Sequence, residues 1–451
     1  MSNLSEDVKK IEFVEKILPT LIVEHNEEFK DYEVVSCRGE LNKSMDGFMS
    51  DIINVELTME GPDDDEPKTH FIILKIMKGD KNFRELSKAT LQFSNEIFIY
   101  KTVLPTFKKY LKDNNAKLFN PDEWWTPKVY FADFGLFPGL SDGVETILAL
   151  ENLKMSGYRM GPKIDLDEAH LRLMIKNIAL YHSVPFAMRI RNDPKHKEMA
   201  SKLSPFSFLS ESGEELSSYG RLFRVGLERL FNLVEKDSRY QFNETFVSDV
   251  KRLKEKHFDR FMHLMETFLK KDDVFSIILH GDYVRNNVLF QYDEPTGFDN
   301  PKSIKMFDFQ EVRFASPVID LAFFMYMNIH YSIRDQLWDS LLKYYHDTLV
   351  ESVTDILKCS KTDERLKPYS FENFLDHFAK HAFYGVPVCL HYVPWIACSE
   401  EECAQISHWF ETDMNGEEFH KITQICGGEE VDKRIVSIVK HASEKGYMKV
   451  F

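Results

Sequence analysis

One segment, residues 280–310, constrains this chain more than any other. It carries Asp282 in a His-Gly-Asp triplet, Asn287 five positions later, and Asp308 at the head of an Asp-Phe-Gln triplet. Short apolar runs flank the segment at both ends, so it is predicted to form a β-hairpin. A hairpin returns distant sequence positions to one edge. The chain must therefore fold so that two carboxylates and an amide meet there.

These three side chains match the needs of phosphoryl transfer, which asks for a carboxylate beside the attacking hydroxyl and hard oxygen ligands for magnesium. Asp282 would accept the proton of a substrate hydroxyl or orient that hydroxyl for in-line attack. Asn287 would return its amide oxygen to the metal, and Asp308 would supply the main magnesium carboxylate. Asp, Asn and Gly are also common turn residues. The complete pattern between apolar strands nevertheless favours a kinase.

Size and charge limit the broad class of protein. A chain of 451 residues suggests two or three compact units. A hydrophobic share of 43%, with 37 phenylalanines, argues against general disorder. The net charge of −16 argues against nucleic acid or an anionic membrane surface as the main partner.

No segment has the pattern of a membrane span or a secretory signal. The longest apolar stretch, 317–329, is too short to span a bilayer and contains Asp320. The first residues lack the apolar core of a secretory signal, so a cytoplasmic protein without a membrane partner is expected. Six scattered cysteines make no disulfide framework. Cys398, Cys403 and His408 suggest a metal site, but their spacing fits no zinc pattern, which favours buried or idle thiols.

The first half is predicted to be rich in strands. Apolar residues at helical spacing predict helices at Val8–Val23 and Arg84–Val103, the second closed by Pro105. Strand patterns lie at Tyr32–Cys37, Ile52–Met59, His70–Met77, Lys128–Phe134 and Glu145–Leu150.

From Asp165 onward the chain is predicted to be mainly helical, apart from the hairpin. The predicted fold class is therefore α+β, with a small antiparallel-sheet N-terminal lobe, 1–153, and a larger helical C-terminal lobe, 154–451. Predicted helices are the amphipathic helix that carries His182, then Leu216–Glu235, Phe246–Leu269, Arg334–Ser352 and Phe371–Ala382, and predicted strands are Phe275–Leu279, Val288–Tyr292 and Ser303–Phe307.

Lys75 is a charged residue inside the otherwise apolar strand Phe71–Met77. On a pleated strand it shares a face with Ile73 and Met77, so a buried ammonium there needs a compensating anion. Glu96, on the helix that follows, is the predicted partner. The alternative is that Lys75 extends to solvent at the strand end.

The chain resembles the ecdysteroid kinase-like family, also called CHK kinase-like, within the aminoglycoside and choline phosphotransferase group. The resemblance rests on the HGDxxxxN and DFQ signatures and covers roughly residues 30–350. Further matching stretches are Phe93–Pro105, Leu150–Leu153 with Gly157-Tyr158, the His182 helix, and Val318–Leu321.

The resemblance implies a two-lobed, protein-kinase-like fold that uses ATP and Mg²⁺ to phosphorylate the hydroxyl of a small molecule. The implied roles are nucleotide binding for Lys75 and Glu96, catalysis for Asp282, and metal binding for Asn287 and Asp308. Asp320 is expected to be structural, bonding the backbone of the catalytic loop. His280 is expected to support that loop, and His182 to be a packed core histidine.

Two nucleotide-contacting stretches are also predicted from the resemblance. The loop 43–50 would cover the phosphates through backbone amides and Ser50, although it has only one central glycine. The linker Glu151–Leu153 would present backbone groups of Glu151 and Leu153 to adenine. In addition, Val284 stands where family members often carry Trp.

The acceptor is less defined by the sequence. Aromatic residues of the second half could serve an ecdysteroid-like or other lipophilic alcohol, with choline or ethanolamine as the alternative substrate. Core packing is the competing interpretation for most of them. A non-catalytic kinase-like module that binds a ligand is the other functional class, and no oligomeric state is predicted. The aromatic candidates are Phe314, Tyr326, Tyr331, His391, Tyr392 and Trp395.

Overall fold

A computed structural model describes residues 6–42, 50–120, 124–141, 143–215, 217–272 and 274–451. The chain divides into two compact units. The sheet unit comprises Met1–Lys109, Pro121–Arg159 and Lys305–Gln310, and the helical unit comprises Tyr110–Asn120, Met160–Ile304 and Glu311–Phe451. The domain boundary predicted between residues 153 and 154 stays a prediction.

A five-stranded sheet forms the centre of the sheet unit, in the order β1-β2-β3-β5-β4 with every neighbouring pair antiparallel. Alternate side chains of the second strand, Ile53, Val55 and Leu57, are fully buried, as the period of two in its sequence requires. The strands are β1 Glu33–Leu41, β2 Ser50–Glu60, β3 Lys68–Met77, β4 Val129–Leu136 and β5 Val144–Glu151.

Two N-terminal helices, α1 Glu6–Lys16 and α2 Leu18–His25, contribute to the same hydrophobic core as the sheet. Their apolar positions were predicted as one helix over Val8–Val23. The break comes just before Pro19, which occupies the first turn of α2, where its missing N–H costs nothing.

The predicted helix Arg84–Val103 is wrong in its bounds, because this stretch contains four consecutive helical segments. These are α3 Lys81–Leu86, α4 Ala89–Phe98, a π-helical turn Ile99–Val103, and α5 Leu104–Asp113. Lys88, with φ of 57°, separates α3 from α4. Pro105 does not close the helix as predicted. It lies in the first turn of α5, where no intrahelical N–H is needed.

Most of the helical unit is α-helix. The predicted helix Phe246–Leu269 is wrong as a single element, since a 3₁₀ turn at Phe258–Arg260 divides it. The helices are α6 Glu168–Ile190, α7 Pro194–Lys202, α8 Ser217–Lys236, α9 Glu244–His257, α10 Phe261–Phe268, α11 Val318–Asn328, α12 Tyr331–Leu357, α13 Phe371–His381, α14 Gly385–Ala397, α15 Glu400–Asp413, α16 Glu417–Ile425 and α17 Gly428–Glu444.

Short strands frame the motif-bearing segment. They are β6 Tyr158–Arg159, β7 Ile277–Ile278, β8 Val288–Gln291, β9 Ser303–Met306 and β10 Phe314–Ala315. The Lys302 N–H donates to the Gln291 carbonyl oxygen at 2.9 Å, which closes the predicted hairpin. The predicted α+β class, with an antiparallel sheet followed by a mainly helical remainder, is confirmed. Among the described residues, no helix combines the length and the apolar character needed to cross a bilayer.

Candidate active site

Lys75 lies on β3 between two carboxylates of the sheet unit. Its Nζ donates to Glu96 Oε2 and to Asp308 Oδ1, each at 2.8 Å. Glu96 comes from α4, and Asp308 follows β9. The side chains of Lys75 and Glu96 are 11% and 1% exposed, and that of Asp308 is 23% exposed. The predicted pairing of Lys75 with Glu96 is therefore confirmed, and the alternative that Lys75 extends to solvent is wrong.

We call Lys75, Glu96 and Asp308 the Lys75 cluster. Burial and the neighbouring charges determine which of its groups are protonated. Burial alone would lower the pKa of the Lys75 ammonium, but the Asp308 and Glu96 carboxylates outweigh it and raise that pKa above its ordinary value. Lys75 is therefore a cation at neutral pH. Burial raises the pKa of the Glu96 carboxyl, an effect that the Lys75 ammonium opposes and the Asp308 carboxylate reinforces.

Asp308 adopts a left-handed backbone conformation, with φ of 67°. The left-handed conformation is strained for any residue other than glycine, so contacts of the neighbouring residues must hold Asp308 in it. The Phe309 ring packs edge-to-face on Tyr100, with centroids 5.5 Å apart. Upstream, the Met306 N–H donates to the Trp125 carbonyl oxygen at 2.7 Å. These two attachments fix the segment on either side of Asp308.

A second buried ion pair lies in the sheet unit and was not predicted. Arg84 Nη1 donates to Glu145 Oε1 at 2.7 Å, and Arg84 Nη2 donates to the Met77 carbonyl oxygen at 2.9 Å. The pair ties the α3 region to the end of β3, the strand that carries Lys75. Its two charges lie 61 positions apart, and no local pattern connects them.

Asp282 and Asn287 are held together in the helical unit. Asn287 ends a 3₁₀ turn, and its Nδ2 donates to the Asp282 carbonyl oxygen at 2.9 Å and to Asp282 Oδ2 at 2.8 Å. Because the amide nitrogen is used in these two bonds, the amide oxygen of Asn287 is the atom that can ligate a metal.

Gly281 allows the chain to turn immediately before Asp282. Its φ is +91°, and a Cβ built on it would lie 1.9 Å from the Glu311 carbonyl oxygen. Only glycine fits this combination of backbone conformation and close approach. The glycine of the His-Gly-Asp triplet is therefore required by geometry.

A buried network centred on Asp320 holds the backbone of the same loop. Asp320 accepts from the His280 N–H at 2.9 Å and from the Gly281 N–H at 2.8 Å, which confirms its predicted structural role. Asp320 Oδ2 also accepts from His182 Nε2 at 3.0 Å, and His182 Nδ1 lies 2.9 Å from the Tyr345 hydroxyl. His182 is a core histidine, as predicted, with an anchoring role that its helical spacing alone did not reveal.

The pKa of Asp320 is lowered although the residue is fully buried. Burial would raise it, but the hydrogen bond and charge of His182, together with the backbone N–H of His280, outweigh burial. His280 also supports the loop from within, because its Nδ1 accepts from the Asp282 N–H at 3.4 Å. Asp320 is thus an ionised anchor for the residues that lead into Asp282.

The predicted nucleotide-contacting residues lie at strand ends of the sheet unit. Ser50 is the buried first residue of β2, while residues 43–49 of the predicted phosphate loop lie outside the described residues. Glu151 ends β5 and accepts from the Ser156 hydroxyl at 2.8 Å. The Asn152 N–H donates to the Phe71 carbonyl oxygen at 2.9 Å, and buried Leu153 opens a 3₁₀ turn.

The donor chemistry fits magnesium. Within the described ranges, no three His, Cys, Asp or Glu side chains gather into a metal-binding group. Magnesium in nucleotide-dependent enzymes needs only one or two protein oxygens beside the phosphates, which Asp308 and Asn287 can each supply. Cys398 lies in an apolar cluster with Ile406, Phe419 and Cys426, so its contacts are those of a core thiol.

Three of the six aromatic residues considered for the acceptor belong to the core. Tyr326, His391 and Trp395 are buried, and the Tyr326 hydroxyl pairs with His441 Nδ1 at 3.1 Å. Tyr392 is 37% exposed. Burial of this kind favours packing over substrate contact for the first three residues.

The comparisons with known proteins show which family the chain belongs to. No curated protein sequence matches the chain. Among solved structures it is similar to the Plasmodium vivax ethanolamine kinase, with a TM-score of 0.36 and 13% identity over 89% of this chain and 83% of that one. It is also similar to a spectinomycin phosphotransferase in complex with ADP and spectinomycin, with a TM-score of 0.37 and 12% identity over 90% and 93% of the two chains. The model of the ecdysteroid kinase-like family matches residues 44–358, more than half of the chain, and the chain therefore belongs to that family.

Proposed function

We propose that this protein is an ATP-dependent small-molecule kinase that transfers the γ-phosphate to an alcohol hydroxyl. The observation that carries the proposal is the position of Lys75, a buried cation held between Glu96 and Asp308 at 2.8 Å. Membership of a kinase-like family supports the same activity. An ammonium fixed in this way is suited to bind phosphate oxygens as a point charge.

Each remaining residue has a proposed role. Asp282 accepts the hydroxyl proton or orients the hydroxyl, and the bond from Asn287 Nδ2 holds its carboxylate. Asp308 and the amide oxygen of Asn287 ligate magnesium. Magnesium, when bound, neutralises the nucleotide phosphates and orients them for transfer. Ser50 would contact phosphate, and the backbone of Glu151 and Leu153 would contact adenine.

We propose an ecdysteroid-like or other lipophilic alcohol as the acceptor, on the strength of the family. The test is Mg²⁺-dependent ATP turnover by the purified chain with a sterol alcohol, choline, ethanolamine and a plant phenol as acceptors. Turnover with the sterol above that with the amino alcohols supports the proposed acceptor. Turnover with choline alone would retain the kinase and overturn the acceptor, whereas tight acceptor binding without any turnover would indicate a non-catalytic module.

Two substitutions separate the proposed roles of the aspartates. Asp308→Asn keeps a side chain that tolerates φ above zero and can accept from Lys75, but it removes the carboxylate. MgATP affinity should fall by at least tenfold. Asp282→Asn should leave MgATP affinity within twofold while phosphoryl transfer falls by two orders of magnitude or more.

Asp133→Asn is a matched control, because Asp133 is an aspartate of the sheet unit whose side chain is 43% exposed and forms an ion pair with Lys101. Equal MgATP affinity of wild type and Asp308→Asn would remove Asp308 from the metal role. Unchanged turnover in Asp282→Asn would remove Asp282 from catalysis.

A further inference from the structure

A cleft of about 300 Å³ lies within the helical unit, and its lining includes none of the residues assigned roles above. Its lining comes from the Arg239–Phe242 segment, the start of α12, and one face of α17. The α17 residues Lys433, Ser437 and Lys440 recur at spacings of four and three, so they share one side of the helix. The volume matches the lower end of small-ligand pockets and suits a molecule of about one ring.

Arg334 is the unusual member of this lining, because it is a buried cation without an acidic partner. It is 3% exposed. Its Nη1 donates to the Ser437 hydroxyl at 3.2 Å and its Nη2 to the Ile329 carbonyl oxygen at 3.1 Å, while its Nε is buried without a partner. Over the described parts of the chain, no carboxylate forms an ion pair with it.

An arginine cannot escape this situation by losing its proton at physiological pH. Burial lowers the pKa of the Arg334 guanidinium, and the nearby Tyr326, Cys389 and Asp335 side chains offset that effect only in part. The guanidinium lies 5.7 Å from the Tyr326 ring, and a cation–π contact of this kind compensates only part of a buried charge. A bound anion would supply the remaining compensation.

The other cations of the cleft are already paired. Lys440 donates to Glu444 at 2.6 Å, and Lys433 lies 3.4 Å from Glu429, which also pairs with Arg239. These ion pairs involve solvent-accessible side chains, so they would attract an anion in the cleft only weakly. Arg334 therefore defines where an anion would sit.

His441 offers a second buried group with an unused polar atom. It is 4% exposed, its Nδ1 is paired with the Tyr326 hydroxyl, and its buried Nε2 has no hydrogen-bond partner among the residues that the structure describes. Asp335 is the acidic group of the lining nearest to it, with Oδ1 3.9 Å from Nε2, but its side chain is 79% exposed. Asp335 disfavours an anion without filling the buried position.

We propose that this cleft binds a small organic oxyanion, with Arg334 holding its carboxylate or phosphate group and aromatic side chains holding its apolar part. Tyr331, Tyr240 and Phe242 line the cleft and supply that aromatic surface. Phe242 is 44% exposed, and Lys440 Nζ lies 5.5 Å from the centroid of its ring. The polar and apolar requirements thus meet in one ligand class, an aryl carboxylate or aryl phosphate.

Phenyl phosphate is the probe, and calorimetric titration of the full chain is the measurement, with benzoate, inorganic phosphate and phenol as partial ligands. Phenyl phosphate should bind more tightly than inorganic phosphate or phenol, since each of these lacks one half of the recognition. Arg334→Gln should weaken phenyl phosphate binding at least tenfold. Tighter binding of benzoate than of phenyl phosphate would identify carboxylate as the anion and support the same site.

If Arg334→Gln fails to fold, substitutions at the exposed residues Phe242 and Asp335 can still test the proposal. Phe242→Ala should weaken phenyl phosphate binding while leaving inorganic phosphate unaffected. Asp335→Asn should tighten both by about two- to fivefold at low salt, because it removes a repelling charge. Asp347→Asn, on the same helix outside the cleft, should change neither affinity. Absence of phenyl phosphate binding at millimolar concentration, or binding insensitive to Phe242→Ala and Asp335→Asn, overturns the proposal.

Discussion

Asp320→Asn probes the network that holds the loop before Asp282. In the native protein, one carboxylate oxygen accepts from the His280 N–H and from His182 Nε2, and the other accepts from the Gly281 N–H. Asparagine has only one oxygen, so at least one of these buried donors must face an amide NH₂ group instead. Each hydrogen bond to a charged group contributes about 1.5–3 kcal/mol, so the free energy of unfolding should fall by about 2–3 kcal/mol.

Asp320→Ala removes all three acceptor bonds at once. It leaves two backbone N–H groups and the His182 ring N–H buried and unpaired, each at a cost of about 1–3 kcal/mol, for a total of about 3–9 kcal/mol. Asparagine keeps the bulk of the side chain, so the loss in the asparagine variant reports on the hydrogen bonds, whereas the alanine variant adds a cavity to the remaining lost bonds. Both variants should also lower phosphoryl transfer, because His280 and Gly281 position Asp282.

The pH dependence follows from the lowered pKa of Asp320. A carboxyl group whose pKa is lowered in the folded state stabilises that state fully above its unfolded pKa of about 3.9. That stabilisation is lost as the pH falls through the lowered folded value. The difference in stability between wild type and Asp320→Asn should therefore stay constant from neutral pH to about pH 5 and shrink below about pH 4.

Urea denaturation followed by circular dichroism measures these differences. Asp347→Asn is the control, since Asp347 is an exposed residue of α12 whose side chain is 53% accessible. The free energy of unfolding of Asp347→Asn should lie within about 0.5 kcal/mol of the wild-type value. If Asp320→Asn were as stable as this control at pH 7, the argument that Asp320 anchors the loop would be refuted.

Further predictions concern the Lys75 cluster and the glycines at positive φ. Lys75→Met leaves the buried Glu96 carboxyl without its cation, so unfolding should become easier by about 3–5 kcal/mol at pH 7. Because burial raises the pKa of Glu96, that variant should gain stability as the pH falls towards about 5, as measured by urea midpoints. Gly281→Ala should cost more than about 3 kcal/mol, since strain adds to the contact at 1.9 Å. Gly297→Ala, at φ of +79° with open space around it, should cost only about 1 kcal/mol in the same assay.

Sequence reasoning succeeded where burial and charge conflict within one element. Lys75 stands in an apolar strand, which demands a nearby anion, and Glu96 on the next long helix accepts from it at 2.8 Å. The structural role of Asp320 was predicted from the family resemblance, and its carboxylate, in an apolar helix, accepts buried backbone N–H groups. In both cases a buried charge without a partner would be too unfavourable, so the side chain must lie next to groups that compensate it.

Sequence reasoning failed where the backbone leaves its regular path without a change in the apolar pattern. Lys88 takes φ of 57° and interrupts the predicted helix, although neither Gly nor Pro marks the position. The π-helical turn at Ile99–Val103 continues the apolar spacing of α4, so periodicity cannot reveal it. Asp308 is left-handed because of contacts made by distant residues, and the pairing of Arg84 with Glu145 is equally non-local.

The charge of the Lys75 cluster bears on which form of nucleotide it can accept. One ammonium stands beside two carboxyl groups, so the cluster carries a charge of −1 when both are ionised. If burial keeps Glu96 protonated, the cluster is neutral. In neither case does it offer the net positive charge that a free triphosphate requires, and the divalent cation proposed at Asp308 would reverse that balance. Nucleotide affinity should therefore depend on magnesium even though Lys75 is a cation, and the position of Asp308 against Lys75 gives that dependence its physical cause.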